Sequence, residues 1–148
     1  MRIRQANVAD VDRWAAMRAA LWQSDNLDEH RQEVLSALRA ENPDSIVLVA
    51  VGPAGVVCGF AEASLRHEYV NGCETSPVAF IEGVYIEPEH RGSGAGRALC
   101  SALEAWGRDK GCNELASDAL LENTESHAFH GAIGFEETER VVYFRKVL

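Results

Sequence analysis

Apolar residues recur at helical spacing in two stretches near the start of the chain. The pattern predicts one helix from about Val8 to Trp22 and a second from about Asp28 to Ala40. Asn7 precedes the first stretch and is a favourable N-cap residue, and Pro43 lies just beyond the second as a stop signal. Two helices are therefore expected ahead of the main sheet.

The spacing then changes to β-rich runs. Ile46–Val51 and Val56–Leu65 flank Gly52-Pro53-Ala54-Gly55, which predicts an antiparallel hairpin. Val78–Ile86 is mostly apolar and ends before Pro88, as expected for a strand covered on both faces. Glu82 is a charged residue inside this otherwise mostly apolar strand.

A glycine-rich segment and a helix follow that strand. Ala95, Leu99, Leu103 and Trp106 form a helical stripe that ends at Lys110-Gly111. A short strand near Glu114–Ser117, a helix capped by Asn123 that runs to Gly134, and a β-rich run, Val141–Val147, complete the pattern. The class predicted is α/β, in the α+β sense.

Composition excludes several functions. The chain has 148 residues, 47% of them hydrophobic, so one domain spanning 1–148 is expected. Lys and Arg number 14 against 23 Asp and Glu, a formal charge of -9, which argues against nucleic acid as a partner. An acidic chain suits a polycationic ligand, although solubility alone also explains such a charge.

The cysteines and the longest apolar run bear on the compartment. Four cysteines without a C-x-x-C pair suggest neither a zinc site nor a disulfide scaffold, so reduced thiols in a cytoplasm are expected. The longest apolar run, Ile46–Val51, is too short to cross a bilayer, and no targeting segment is recognisable. We expect no membrane partner and no metal.

The segment Arg91-Gly92-Ser93-Gly94-Ala95-Gly96 carries the candidate chemistry. It joins a buried strand to a helix, so its backbone N–H groups should converge at the positive end of that helix and form an anion cradle. Neither a dinucleotide fingerprint nor a Walker loop fits, because the required last positions hold other residues. A glycine-rich turn without a ligand is the alternative.

This loop, R-x-x-G-x-G after Val84-Tyr85-Ile86, resembles the coenzyme A pyrophosphate signature of the GNAT N-acetyltransferases. Four further segments resemble the aminoglycoside 6′-N-acetyltransferases within that family: residues 66–73, 80–83, 116–118 and 134–140. The resemblance implies a mixed, mostly antiparallel twisted sheet flanked by helices. It also implies acetyl-CoA as co-substrate, an aminoglycoside acceptor, antibiotic resistance and a homodimer.

The resemblance also implies which residues bind the two substrates. Those that would hold acetyl-CoA are Val84, Tyr85, Ile86, Arg91, Gly92, Ser93, Gly94, Ala95, Gly96, Arg97 and Asn123. Those that would line the aminoglycoside site are Trp22, Tyr69, Glu82, Asp118 and Glu139. The β-rich end, Val141–Val147, offers an edge for pairing with a second subunit.

Two carboxylates are candidates for catalysis. An aminoglycoside amine arrives protonated and must lose a proton before it attacks a thioester. Glu82 and Asp118 could flank the acetyl group, with Glu82 as general base and Asp118 as a clamp for a substrate ammonium. An edge-facing carboxylate and a helix-capping aspartate are their ordinary alternatives.

The general acid stays open at this stage. Many members of the family carry a tyrosine where this chain has His130, so His130, water or no acid at all could serve the leaving thiolate. Other functions also stay open: acetylation of another small amine, a polyamine or a protein N-terminus, and a noncatalytic acyl-CoA-binding module.

Overall fold

The computed structural model describes residues 1–148 as a five-stranded sheet with helices on both faces. The strands are β1 (Arg2–Gln5), β2 (Ser45–Val51), β3 (Val57–Arg66), β4 (Val78–Ile86) and β5 (Leu115–Ala116). The helices are α1 (Val11–Leu21), α2 (Leu27–Ala40), α3 (Ala95–Asp109) and α4 (Thr124–Ala132), with short 3₁₀ turns at Val8–Asp10 and Pro88–His90. None of these helices has the length and apolar character needed to cross a membrane.

The strands lie in sequence order across the sheet. β1 to β4 form three antiparallel pairs, and β5 pairs with β4 in parallel. The mixed, mostly antiparallel sheet expected from the sequence is confirmed. The predicted hairpin is β2 and β3, with Ser45 opposite Ser64 at its open end.

Each face of the sheet buries a separate core. Leu99 and Leu103 of α3 are fully buried against one face, together with Ala61 of β3. On the other face, Trp14 of α1 and Val34 of α2 are fully buried with a second set of strand residues. This arrangement explains why β4 reads as an apolar run, since both of its faces are covered.

The predicted asparagine caps lie at the start of the 3₁₀ turn that leads into α1 and at the start of α4. Asn7 Oδ1 accepts a hydrogen bond from the N–H of Ala9, and the Asp10 carboxylate accepts one from the N–H of Asn7. Asn123 Oδ1 likewise accepts from the N–H of Ser126 at the start of α4. Side chains thus satisfy backbone N–H groups that a helix start leaves without partners.

A bulge in β4 shapes the middle of the sheet. Glu62 lies opposite Gly83 and Ala63 lies opposite Ile81, so Glu82 has no partner residue in β3. β5 pairs only with Ala79 and Phe80, and β4 runs on beyond it without a neighbour on that side. The bulge and the parting of the strands create a gap along the second half of β4.

The last predicted strand is absent. Val141–Val147 forms neither a helix nor a strand, and the side chains of Tyr143 and Phe144 are 84% and 91% exposed. A strand requires a partner edge as well as β-favouring residues, and within one chain this segment meets none. The prediction for this segment of the isolated chain was wrong.

Candidate active site

The glycine loop meets the start of α3 in the geometry of an anion cradle. Gly94 caps α3 with φ +88°, and Gly92 has φ +77°, a region that side chains rarely adopt. A Cβ placed on either glycine meets no atom within 4 Å, so the space above both is open. Arg91 Nε donates to the carbonyl of Ile86 at 2.9 Å and ties the loop to the end of β4. The first N–H groups of α3 are therefore free to meet an anion.

Gly96 is a glycine for a different reason. A Cβ there would lie 2.8 Å from Cε1 of Phe129, so its absence lets α4 pack against the first turn of α3. The sequence alone predicts that Gly92, Gly94 and Gly96 all belong to one anion cradle. In the structure, Gly92 and Gly94 leave space for a ligand, whereas Gly96 allows α4 to contact α3.

A cavity of about 750 Å³ begins at this loop and follows β4 to its bulge. Its lining includes most of the residues expected to hold either substrate: Trp22, Glu82, Val84, Tyr85, Ile86, Arg91, Gly92, Gly94, Ala95, Gly96, Arg97, Asp118 and Asn123. Arginines line one end and carboxylates the other. The arrangement fits a polyanion and a cation bound end to end.

Glu82 is held in place at the carboxylate end. The Ser64 hydroxyl donates to Glu82 Oε1 at 2.6 Å, and Nη2 of Arg66 donates to both carboxylate oxygens at 2.9 and 3.1 Å. The guanidinium of Arg66 also lies 4.0 Å above the ring of Phe80. The side chain of Glu82 remains 38% exposed. A carboxylate offers about four acceptor positions, so Oε2 keeps room for one more N–H.

Asp118 stands across the gap from β4. It follows β5 by two residues, is exposed, and lines the same cavity as Glu82. The cap of α4 is Asn123, so Asp118 is not the helix-capping residue considered from sequence. Its charge is available to a ligand.

Trp22 forms an aromatic wall beside Glu82. Its ring stacks on His30 with a centroid separation of 6.2 Å, and the guanidinium of Arg18 lies 4.8 Å from its centroid. A Cβ on Gly83 would lie 2.8 Å from Cζ2 of Trp22, so the indole lies directly on the backbone of β4. Trp22 remains 42% exposed and lines the cavity.

A half-buried ion pair supports that wall from below. Arg18 Nη1 contacts Glu62 Oε1 at 2.5 Å, and Trp14 Nε1 lies 3.5 Å from Glu62 Oε2. Burial raises the pKa of Glu62 and outweighs the opposing effect of Arg18. The pair fixes Arg18 beneath Trp22, and nothing in the sequence pattern signals it.

Three expected site residues lie outside the cavity lining. Ser93 Oγ donates to the carbonyl of His90 at 2.5 Å, and Tyr69 is 73% exposed on the loop between β3 and β4. Glu139 is exposed on the segment after α4. Glu114 holds the loop that carries Tyr69, because its carboxylate accepts from the N–H of Thr75 at 2.7 Å. Ligand contacts for these three residues remain predictions.

Sequence reasoning missed two partners of site residues. Arg66 pairs with Glu82 from outside the cavity lining, and Ser117, which lines the cavity, lies 2.8 Å from His130. Both belong to segments that resemble the aminoglycoside 6′-N-acetyltransferases. A cysteine nucleophile has no support, because burial raises the pKa of Cys100, the cysteine that lines the cavity, to about 11.

Comparison with known proteins identifies the class. The model of the acetyltransferase (GNAT) family matches residues 11–135. The chain belongs to this family.

Several relatives carry one name, aminoglycoside N(6′)-acetyltransferase type 1. The protein of Stenotrophomonas maltophilia is 51% identical over 148 residues, covering 99% of this chain and 93% of the relative. That of Salmonella typhimurium is 45% identical over 146 residues and covers 99% of each chain.

Solved structures agree with this placement. The 6′-N-acetyltransferase of Acinetobacter haemolyticus superposes with a TM-score of 0.91 at 43% identity, covering 100% of this chain and 99% of that one. AAC(6′)-Iy, solved with the bisubstrate analogue CoA-S-monomethyl-acetylneamine, gives 0.90 at 43% identity and covers 99% and 98%.

Proposed function

We propose that residues 1–148 form one N-acetyltransferase domain that transfers acetyl from acetyl-CoA to the 6′-amine of aminoglycoside antibiotics, and thereby confers resistance. The observation that carries the proposal is the single cavity with a basic glycine loop at one end and Glu82, Asp118 and Trp22 at the other. The relative solved with a joined coenzyme and aminoglycoside analogue supports the same pairing of ligands.

At the coenzyme end, the cradle of Gly92 and Gly94 receives the pyrophosphate, with Arg91 and Arg97 adding positive charge. The pantetheine arm then lies beside β4 from Ile86 toward the bulge, where β4 has no neighbouring strand and its backbone groups can pair with it. This direction brings the thioester to Glu82.

At the acceptor end, Glu82 takes the proton that the ammonium must lose. The nitrogen then attacks the thioester carbonyl carbon, loses its second proton to water as the carbon–sulfur bond breaks, and the products are the amide and the coenzyme thiolate. Ser64 and Arg66 hold the carboxylate so that Oε2 faces the amine. Direct transfer needs no covalent enzyme intermediate and no metal.

Asp118 and Trp22 position the antibiotic. Asp118 pairs with a second ammonium of the polycation, and the indole of Trp22 covers a face of the amino sugar. Tyr69 and Glu139 lie outside the cavity and contact the parts of the antibiotic that project from it.

The test is mass spectrometry of kanamycin and tobramycin after incubation with acetyl-CoA and the enzyme. We expect each drug to gain one acetyl group. Spermidine and a peptide with a free N-terminus, assayed in parallel, represent the other amines. Faster turnover of either than of the drugs would replace the proposed substrate. Coenzyme binding without acetylation of any amine would indicate a noncatalytic module.

The second subunit of a homodimer would cover the exposed apolar end. Val142, Tyr143, Phe144 and Val147 are each at least 74% exposed, and their strand-like sequence pattern has no partner edge within the chain. β5 has only two residues and forms an edge of the sheet, so that edge is short and open. A second copy of the chain would provide a partner edge for the segment Val141–Val147 and a partner strand for the open edge of β5.

Light scattering during size exclusion tests the dimer. We expect the mass of two chains for the wild type and of one chain for Phe144→Lys, which places a charge in the paired segment. Val8→Lys, at a residue that is 75% exposed elsewhere, is the matched control and should stay dimeric. A monomeric wild type would contradict the proposal. We also propose a cytoplasmic location, supported by four free cysteines and by the need for acetyl-CoA.

A further inference from the structure

Ser117 and His130 form a hydrogen-bonded pair in the wall of the cavity. His130 Nε2 lies 2.8 Å from Ser117 Oγ, and His130 Nδ1 lies 2.6 Å from the backbone carbonyl of Ser126. The rings of Phe129 and Phe135 flank the imidazole edge to face, at centroid distances of 5.8 and 5.1 Å. The imidazole is thus fixed in orientation.

The two hydrogen bonds determine where the protons lie. A backbone carbonyl can only accept, so Nδ1 of His130 must carry a hydrogen. In neutral imidazole Nε2 then has a lone pair, and the Ser117 hydroxyl donates to it. In the protonated ring Nε2 donates to Ser117 Oγ instead, and the serine hydrogen becomes free to point elsewhere.

The pair stands where the two parallel strands part. Ala79 pairs with Leu115 and Phe80 with Ala116, and Ser117 and Asp118 follow directly after the last of these pairs. Ser117, His130 and Ile81 all line the cavity. The thioester reaches this point if the pantetheine follows β4, and to that extent the inference rests on the proposed function.

We propose that Ser117 is the catalytic general acid of the transfer and that His130 is the positioning residue that supplies its proton. As the carbon–sulfur bond breaks, its electron pair goes to sulfur and the Ser117 hydroxyl gives its proton to the thiolate. Nε2–H of His130 replaces that proton on Ser117 Oγ. The ring becomes neutral, keeps Nδ1–H on the Ser126 carbonyl, and regains a proton from water.

Other donors in the cavity serve this step less well. The ring of Tyr85 packs toward the core beneath α1 and α2, and Arg91 lies 5.5 Å from its centroid. Cys100 is buried on α3. Asp118 and Glu125 also line the cavity, but an ionised carboxylate has no proton to donate.

The test compares two donors in single-turnover reactions. Selenocoenzyme A leaves as a selenolate, which needs little protonation because a selenol is more acidic than a thiol. The thiolate of coenzyme A is the poorer leaving group and benefits from an acid. We expect Ser117→Ala to slow transfer from acetyl-CoA by roughly 10²-fold, the lower end of general acid effects. The same variant should lose much less with acetyl-selenocoenzyme A. His130→Gln should follow this pattern, and Ser117→Thr, which keeps a hydroxyl, should retain most of the rate.

Matched controls are Ser101→Ala and His127→Gln, which change the same residue types outside the cavity lining and should leave both rates unchanged. Equal losses with the two donors would show a merely structural role and overturn the relay. Unimpaired Ser117→Ala and His130→Gln enzymes would overturn it as well, as would an acetylated Ser117 peptide in the digested enzyme. The test can use any amine that the enzyme acetylates. An enzyme that fails to acetylate aminoglycosides but acetylates another amine would therefore contradict the proposed function and leave the proposal on Ser117 and His130 testable.

Discussion

Gly83→Ala tests whether the close contact between β4 and Trp22 forms the acceptor site. The added Cβ would lie 2.8 Å from both Cδ2 of Leu21 and Cζ2 of Trp22, whereas ordinary contacts begin at 3.4 Å. The difference, 3.4 − 2.8, requires a shift of at least 0.6 Å. Trp22 lies just beyond the end of α1 and is 42% exposed, so the indole rather than the strand should move.

The size of the effect follows from two opposing terms. Overpacking costs about 1–3 kcal/mol, and replacing a strand glycine by alanine returns about 0.5–1 kcal/mol. The net cost of about 1 kcal/mol should lower the melting temperature by about 2–4 °C. If the aminoglycoside binds only when the indole returns to its original position, binding costs the same free energy of about 1 kcal/mol, and the aminoglycoside dissociation constant rises about fivefold.

Calorimetric titration with an aminoglycoside and with coenzyme A, together with thermal melts, measures these quantities. The coenzyme dissociation constant should stay unchanged, because Gly92 and Gly94 are untouched. Gly131→Ala is the control, since a Cβ there meets nothing within 4 Å and the helix should gain stability. A Gly83→Ala enzyme that melts earlier yet binds the acceptor normally would refute this role of Trp22.

Three further changes separate the parts of the site. Glu82→Gln should lower turnover by roughly 10²–10⁴-fold, with a defect that shrinks as pH rises, because free amine then forms without a base; a pH series of kcat measures it. Asp118→Asn should instead weaken acceptor binding, less so in high salt, in titrations at two ionic strengths. Gly94→Val should weaken coenzyme binding and also lower the melting temperature, because φ +88° strains a branched side chain, whereas Gly96→Val should lower the melting temperature because its side chain would strike Phe129; titration with coenzyme A and thermal melts measure both effects.

Much of the fold could be predicted because its signals are local. The asparagine caps at Asn7 and Asn123, the hairpin around residues 52–55 and the apolar stripe of α3 each lie within a few neighbouring positions. The strand at Val141–Val147 was predicted wrongly because a strand depends on a partner edge, which the residues of the segment do not encode.

The residues of the site likewise divide into those with a local signal in the sequence and those whose contacts depend on the fold. The glycine loop is a continuous motif, and Glu82 stands out because a carboxylate followed by glycine interrupts an apolar strand. Arg66 of β3 contacts Glu82 of the neighbouring strand β4, and Ser117 contacts His130 of α4, so neither pair is visible until the strand pairing and the packing of α4 are known. The separate role of Gly96 likewise depends on where α4 packs.

The central claim is that the cavity delivers an acetyl group to the 6′-amine. Neomycin and paromomycin test it most directly, because they differ only in carrying an amine or a hydroxyl at the 6′ position. Steady-state release of coenzyme A thiol is measured with each drug. The account predicts turnover with neomycin and none above background with paromomycin. Equal turnover of the two drugs, or turnover of neither by an enzyme that still binds coenzyme A, would contradict it.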